Sequence, residues 1–266
     1  RRLFIGRGGY KVSSVSPNFV LYFISTTRDL RGRIMNTSTK ADMYNHLPIS
    51  KEMEAVMKKH LSEKFTEVEA DDYWRRILDQ YETFLKDLPD FGGKKSRHNG
   101  LGGTYDCISL FAYYEALNHE PDMDELYEMN CEVFLPEFKK MAGIVNANRP
   151  FLRRVLRLAF AMTARTDEGR EGGYIMKVEP YSKDGVRYRF DRCPIAEFAK
   201  SHGYLDIMPA FCNSDYPAME YINAALIRKH TCANSDVCDY WIVGDQSTAA
   251  KEHPKKTDEK GYWNND

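Results

Sequence analysis

Apolar positions recur every three to four residues through the first part of the chain and give way to short alternating runs in the last third. Met53, Val56, Met57, His60 and Leu61 lie along one face of a helix that Pro48-Ile49-Ser50 opens, with Ser50 as N-cap. Tyr73, Trp74, Ile77, Leu78, Tyr81, Phe84 and Leu85 predict a second helix, from about Glu67 to Leu88-Pro89. Asp90 to Gly103 reads as a loop, with five glycines in thirteen residues from Phe91. Thr104 is expected to cap an aromatic-rich helix ending at Ala116-Leu117. Asp122 or Asp124 opens the next helix, to about Met141, and Arg149-Pro150 opens another, with proline in its first turn.

The period changes at Gly172-Gly173. Tyr174–Glu179 and Val186–Phe190 read as strands joined at Asp184-Gly185, a hairpin signal. Pro194–His202 predicts a short helix stopped by Gly203, and Tyr216–Asn223 another. Ala225–Thr231 and Cys238–Val243 read as paired strands around Ala233–Asp236. Helices first, then hairpins mixed with short helices, is the order of an α+β fold. Three segments are expected: an N-terminal extension over 1–34, a folded body over 35–245, and a flexible polar tail over 246–266.

Charge sharpens the first boundary. Residues 1–34 hold seven Lys and Arg against Asp29 alone, whereas the whole chain of 266 residues carries a formal −1. Met35 is read as a natural start, with the basic stretch before it as translated upstream sequence. The acidic remainder disfavours nucleic acid as a partner. No stretch reaches the roughly 18 apolar residues of a spanning helix, so no membrane partner is expected. The six cysteines contain no C-x-x-C pair, and reduced thiols in a cytoplasmic protein are the expectation.

Candidate chemistry concentrates in the last third. Cys193 or Cys212 is a candidate nucleophile, and Cys193 gains from the start of the Pro194 helix, whose dipole favours a thiolate. Asp215, Asp239 or His202 is a candidate acid or base, and Arg228 suits a substrate carboxylate. The bland readings stand beside these: Asp215 as a cap for a helix at Tyr216, His202 as the charge at a helix C-terminus, and Cys238 as a core residue. Cys193, His202, Cys212 and Cys238 are zinc-ligand types, but their gaps match no standard zinc motif, and no metal site is assigned. The glycine loop lacks both the Walker and the dinucleotide pattern, although its backbone amides suit a small ligand. No cofactor follows from the sequence.

Four blocks in order carry a resemblance: Gly102-Gly103-Thr104-Tyr105-Asp106 with Ala112–Leu117; Arg189–Pro194 with Phe198–Gly203; Phe211–Asp215; and Arg228–Thr231 with Cys238-Asp239-Tyr240. Over about residues 50–245 the chain resembles the L-2-amino-thiazoline-4-carboxylic acid hydrolase family. The resemblance implies hydrolysis of a cyclic amidine, a small-molecule substrate opened to N-carbamoyl-L-cysteine. On that reading Cys193 or Cys212 and Asp215 or Asp239 are the candidate catalytic residues, and Arg228, His202, Thr231 and Gly103 are the candidate substrate contacts. Where the family commonly has glycine in the turn after the threonine, this chain has Cys232–Asp236. The closing helix and strands are also similar to 4-vinyl-reductase-like sensory domains, whose implied alternative is a non-catalytic ligand-binding module with a mostly apolar cavity.

Overall fold

The computed structural model describes residues 46–265; the expected extension over 1–34 and Met35 lie outside them. Five helices come first: α1 (Lys51–Lys64), α2 (Glu67–Asp87), α3 (Thr104–Ala116), α4 (Met123–Met141) and α5 (Pro150–Ala164). Ser50 caps α1 by accepting from the Met53 amide. A capping box between Thr66 and Glu69 starts α2, and Asp122 caps α4. The α3 helix is the centre of the helical layer. It is buried on nearly every side, as its lack of a polar face requires, and Phe111 packs against the rings of Phe198, Tyr204 and Phe211.

The loop before α3 contains two short 3-10 turns, Gly93–Lys95 and Arg97–Asn99. Gly103, not Thr104, is the N-cap of α3. Thr104 is the first helical residue, and its buried hydroxyl donates to Tyr174 Oη at 3.1 Å.

The second layer is a four-stranded antiparallel sheet: β1 (Ile175–Val178), β2 (Val186–Arg192), β3 (Ala224–Ile227) and β4 (Cys238–Gly244), in the order β1-β2-β4-β3. Between β2 and β3 run α6 (Pro194–His202), a 3-10 turn at Leu205–Ile207, α7 (Pro209–Cys212) and α8 (Asp215–Glu220). Gly203 closes α6 in the left-handed region at φ 79°. In the register, Tyr188 faces Tyr240 and Phe190 faces Cys238. Alternation then places Phe190, Tyr188, Cys238 and Tyr240 on one face of the sheet.

The segment expected as a flexible polar tail is ordered through Asn265. Residues 248–252 form α9 (Thr248–Glu252), and Lys256–Thr257 (β5) pairs with Trp263–Asn264 (β6). Tyr262 and Asn265 are buried. The polar composition of this stretch conceals its role: its few aromatic and amide side chains dock on the body. Tyr216 Oη donates to the Trp263 carbonyl at 3.0 Å, and the Asn213 amide side chain donates to the Gly261 carbonyl at 2.8 Å.

Candidate active site

Three short elements bring one polar set together. Pro209 at the first position starts α7, which ends at Cys212, and α8 begins at Asp215. Arg228 follows β3 directly, and Tyr240 stands on β4. Arg228 Nη1 donates to Asp215 Oδ2 at 2.8 Å, and the Tyr240 hydroxyl donates to the same oxygen at 2.7 Å. Arg228 Nη2 donates to the Cys212 carbonyl at 2.8 Å. Its guanidinium carbon lies 5.1 Å from the centre of the Tyr216 ring and 5.5 Å from that of Tyr240, within cation–π range. Asp215 is therefore not a helix cap; Ser214 occupies that position, and the carboxylate is turned onto Arg228.

Arg228 is 1% exposed, the largest fully buried side chain in the described fold. A charge so placed needs a fixed counter-charge, and Asp215 supplies it. The backbone is fixed as well: Arg228 N–H donates to Asn265 Oδ1, and its carbonyl accepts from the Asn265 amide. Both Nη atoms are spent on protein, and Nε has no partner among the described residues. The two-pronged grip on a substrate carboxylate expected of Arg228 is thus directed inward, at Asp215 and Cys212.

Asp215 differs in its exposure: 25% of its side-chain surface is reachable. Burial pushes its carboxyl up from the ordinary value of 3.8, against the pull of Arg228 and Tyr240. Cys193, Cys212, Phe190 and Tyr240 share this half-buried state. Both protein donors fall on Oδ2, and no hydrogen bond among the described residues reaches Oδ1.

The cysteines are unpaired thiols. Cys193 does sit at the start of α6, as its N-cap. Burial nevertheless pushes its thiol up, and the amides of Ala196 and Ile195 recover only part of the shift. The expectation of a thiolate at this helix start is corrected on that ground: the cost of burying charge exceeds the dipole's gain. Burial raises Cys212 well above its ordinary value despite Arg228, raises Cys107 and Cys238, and takes Cys232 to about 12. Cys193 and Cys232 also face an outer pocket of about 110 Å³, walled by charged residues including Asp191, Glu197, Lys200 and Asp236.

The remaining candidates stand apart from this set. Asp239 lies on the other face of β4 from Tyr240 and accepts from the backbone amides of Lys229 (3.2 Å) and His230 (2.7 Å). His202 is exposed at the last turn of α6, about 13 Å along the helix from Cys193 at 1.5 Å per residue. It stacks on Phe198 at 4.0 Å. Thr231 is buried in its own turn, where its amide and hydroxyl both donate to Asn234 Oδ1. Gly103 spends its amide on the Gly100 carbonyl at 2.8 Å rather than offering it to a ligand. Among the described residues no three His, Cys, Asp or Glu side chains converge as metal ligands, and no helix is long and apolar enough to cross a membrane.

Tyr240 is the member of this set that spacing alone did not single out. Its signal was present: it alternates with Cys238 on a strand whose inward face carries the site.

Fold and site together define an α+β domain that closes around a buried guanidinium–carboxylate–phenol set beside neutral thiols. The L-2-amino-thiazoline-4-carboxylic acid hydrolase family matches residues 104–242, just over half of the chain. The chain belongs to that family, and a hydrolase-type role follows in general terms. No curated protein and no solved structure matches it.

Proposed function

We propose that the protein opens a small cyclic amidine, L-2-amino-thiazoline-4-carboxylate or a related nitrogen heterocycle, with Asp215 as general base. The observation that carries this reading is the asymmetry of Asp215: Oδ2 is held by Arg228 and Tyr240, no hydrogen bond among the described residues reaches Oδ1, and a quarter of the side chain stays exposed.

In this scheme Oδ1 takes a proton from water, and the water oxygen bonds to the ring carbon between nitrogen and sulfur. The C=N electron pair moves onto the ring nitrogen, which takes the hydroxyl proton as the tetrahedral adduct collapses to a carbonyl and its carbon–sulfur bond breaks. The proton held by Asp215 passes to the departing sulfur, giving N-carbamoyl-L-cysteine and restoring the carboxylate. A carboxyl raised above its ordinary value suits both halves of this cycle, as a stronger base first and an acid second. Arg228 and Tyr240 act as positioning residues that hold the carboxylate and steady its charge. Burial keeps Cys193 and Cys212 protonated, so a covalent route needs an extra proton transfer that activated water does not. The thiols then serve as a soft, uncharged wall for a sulfur-containing ring.

A sensory module asks for a mostly apolar cavity with few titratable groups, and the Arg228–Asp215 ion pair speaks for chemistry instead. Asp215→Asn preserves shape while removing the base. It is expected to lower kcat by about 10²- to 10⁴-fold, measured by mass spectrometry of the ring-opened product. Wild-type turnover in that variant would overturn Asp215's role.

A further inference from the structure

The glycine-rich loop has no place in the scheme above, yet its construction is exacting. A Cβ added to Gly103 would stand 2.1 Å from the His98 carbonyl oxygen and 2.7 Å from that of Gly100. Gly102 adopts φ +68° with Phe134 packed against it. These glycines let the loop fold back on itself, and the residue held at the centre is His98. Its amide donates to Ser96 Oγ at 3.2 Å, and the next residue, Asn99, ties its side chain to the carbonyls of Phe91 and Gly93.

The His98 ring is fixed from two sides. It stacks on Tyr174 with centroids 4.2 Å apart, and meets the edge of Phe190 at 5.6 Å. Phe190 lies 5.7 Å from Tyr240, whose hydroxyl holds Asp215. His98, Phe190 and Tyr240 therefore form a continuous wall from the loop to the carboxylate. His98 Nε2 is buried and has no hydrogen-bond partner among the described residues. A buried ring nitrogen without a partner carries a desolvation cost that a structural role does not offset. Burial also takes the imidazole down to about 4, so it is neutral at physiological pH.

We infer that His98 is a further positioning residue of this site, an imidazole whose unpartnered nitrogen takes a hydrogen bond from or to the bound heterocycle or its attacking water. The inference rests on the hydrolase reading. It explains why the loop is built with such close backbone approach: the glycines place the imidazole, not a backbone amide, toward a ligand.

The test compares wild type, His98→Phe and His98→Gln in the hydrolysis of L-2-amino-thiazoline-4-carboxylate, with thermal unfolding of each. Phenylalanine keeps the stack on Tyr174 and removes both nitrogens, while glutamine restores a polar group. The expected result is a folded His98→Phe protein with Tm at or above wild type, kcat/KM lowered at least tenfold, and partial recovery in His98→Gln. Wild-type kcat/KM in a folded His98→Phe protein would overturn the role of His98 and leave the hydrolase reading intact. Equal loss in both variants with lowered Tm would mark His98 as structural only. Absence of turnover by wild type itself would overturn both readings.

Discussion

Arg228 shows how one residue can read differently from sequence and in the fold. An arginine on a predicted strand suggests a substrate clamp. Its burial at 1% exposure turns it into an internal cation that depends on Asp215, the Cys212 carbonyl and two aromatic faces. Removing one member of a buried pair costs about 3–5 kcal/mol, because the other charge is left uncompensated. Arg228→Ala is therefore expected to destabilise the fold by about that amount, measured by urea unfolding, as well as abolishing turnover. A loss below about 1 kcal/mol would show that the pair is not structurally required. Asp215 carries a pH expectation. Its raised carboxyl must be ionised to act as a base, so activity rises with pH through the folded-state pKa. The acid limb of the kcat profile should have its midpoint above 3.8, with activity lost below it. A midpoint at or below that value would contradict the base assignment.

At the scale of elements, periodicity located every helix from α1 to α6 and all four strands of the main sheet. Their stripes are long or their caps and breakers unambiguous, as with Ser50, Asp122, Pro150, Pro194 and Gly203. It failed where the deciding contact is remote in sequence. Thr104 looks like a cap, but its hydroxyl is used by Tyr174, seventy residues away. The loop ahead of α3 was legible as glycine-rich, but not as the mount of His98, because the close approach of Gly103 to the His98 carbonyl is a three-dimensional fact. Gly103→Ala should accordingly lower Tm by several degrees and reduce turnover together. Unchanged Tm and turnover would show that the loop tolerates the methyl group and that its geometry is not constrained as described.

For the whole molecule, the main revision concerns the C-terminal end. Polar composition over 246–265 suggests a loose tail, yet Asn265 closes the backbone of Arg228 and Tyr262 enters the core. The site was half legible for the same reason. Cys212, Asp215 and Arg228 come together through the short α7–α8 segment and the end of β3, whereas Asp239, His202 and Thr231 are diverted to backbone, helix end and turn by contacts that spacing does not encode. Deleting residues 246–266 is expected to lower stability and eliminate activity, because Arg228 loses its backbone partners. A truncated protein with wild-type Tm and turnover would show that this segment does not support the site.

The central claim is that Asp215, held by Arg228 and Tyr240, opens a cyclic amidine with water. The most direct measurement is a mass-spectrometric assay of the full chain and its Asp215→Asn variant with L-2-amino-thiazoline-4-carboxylate in ¹⁸O-water. The expected result is a product heavier by one labelled water from the wild type, with the rate reduced by about two orders of magnitude or more in the variant. Unlabelled substrate returned intact by the wild type, or equal rates from the two proteins, would contradict it.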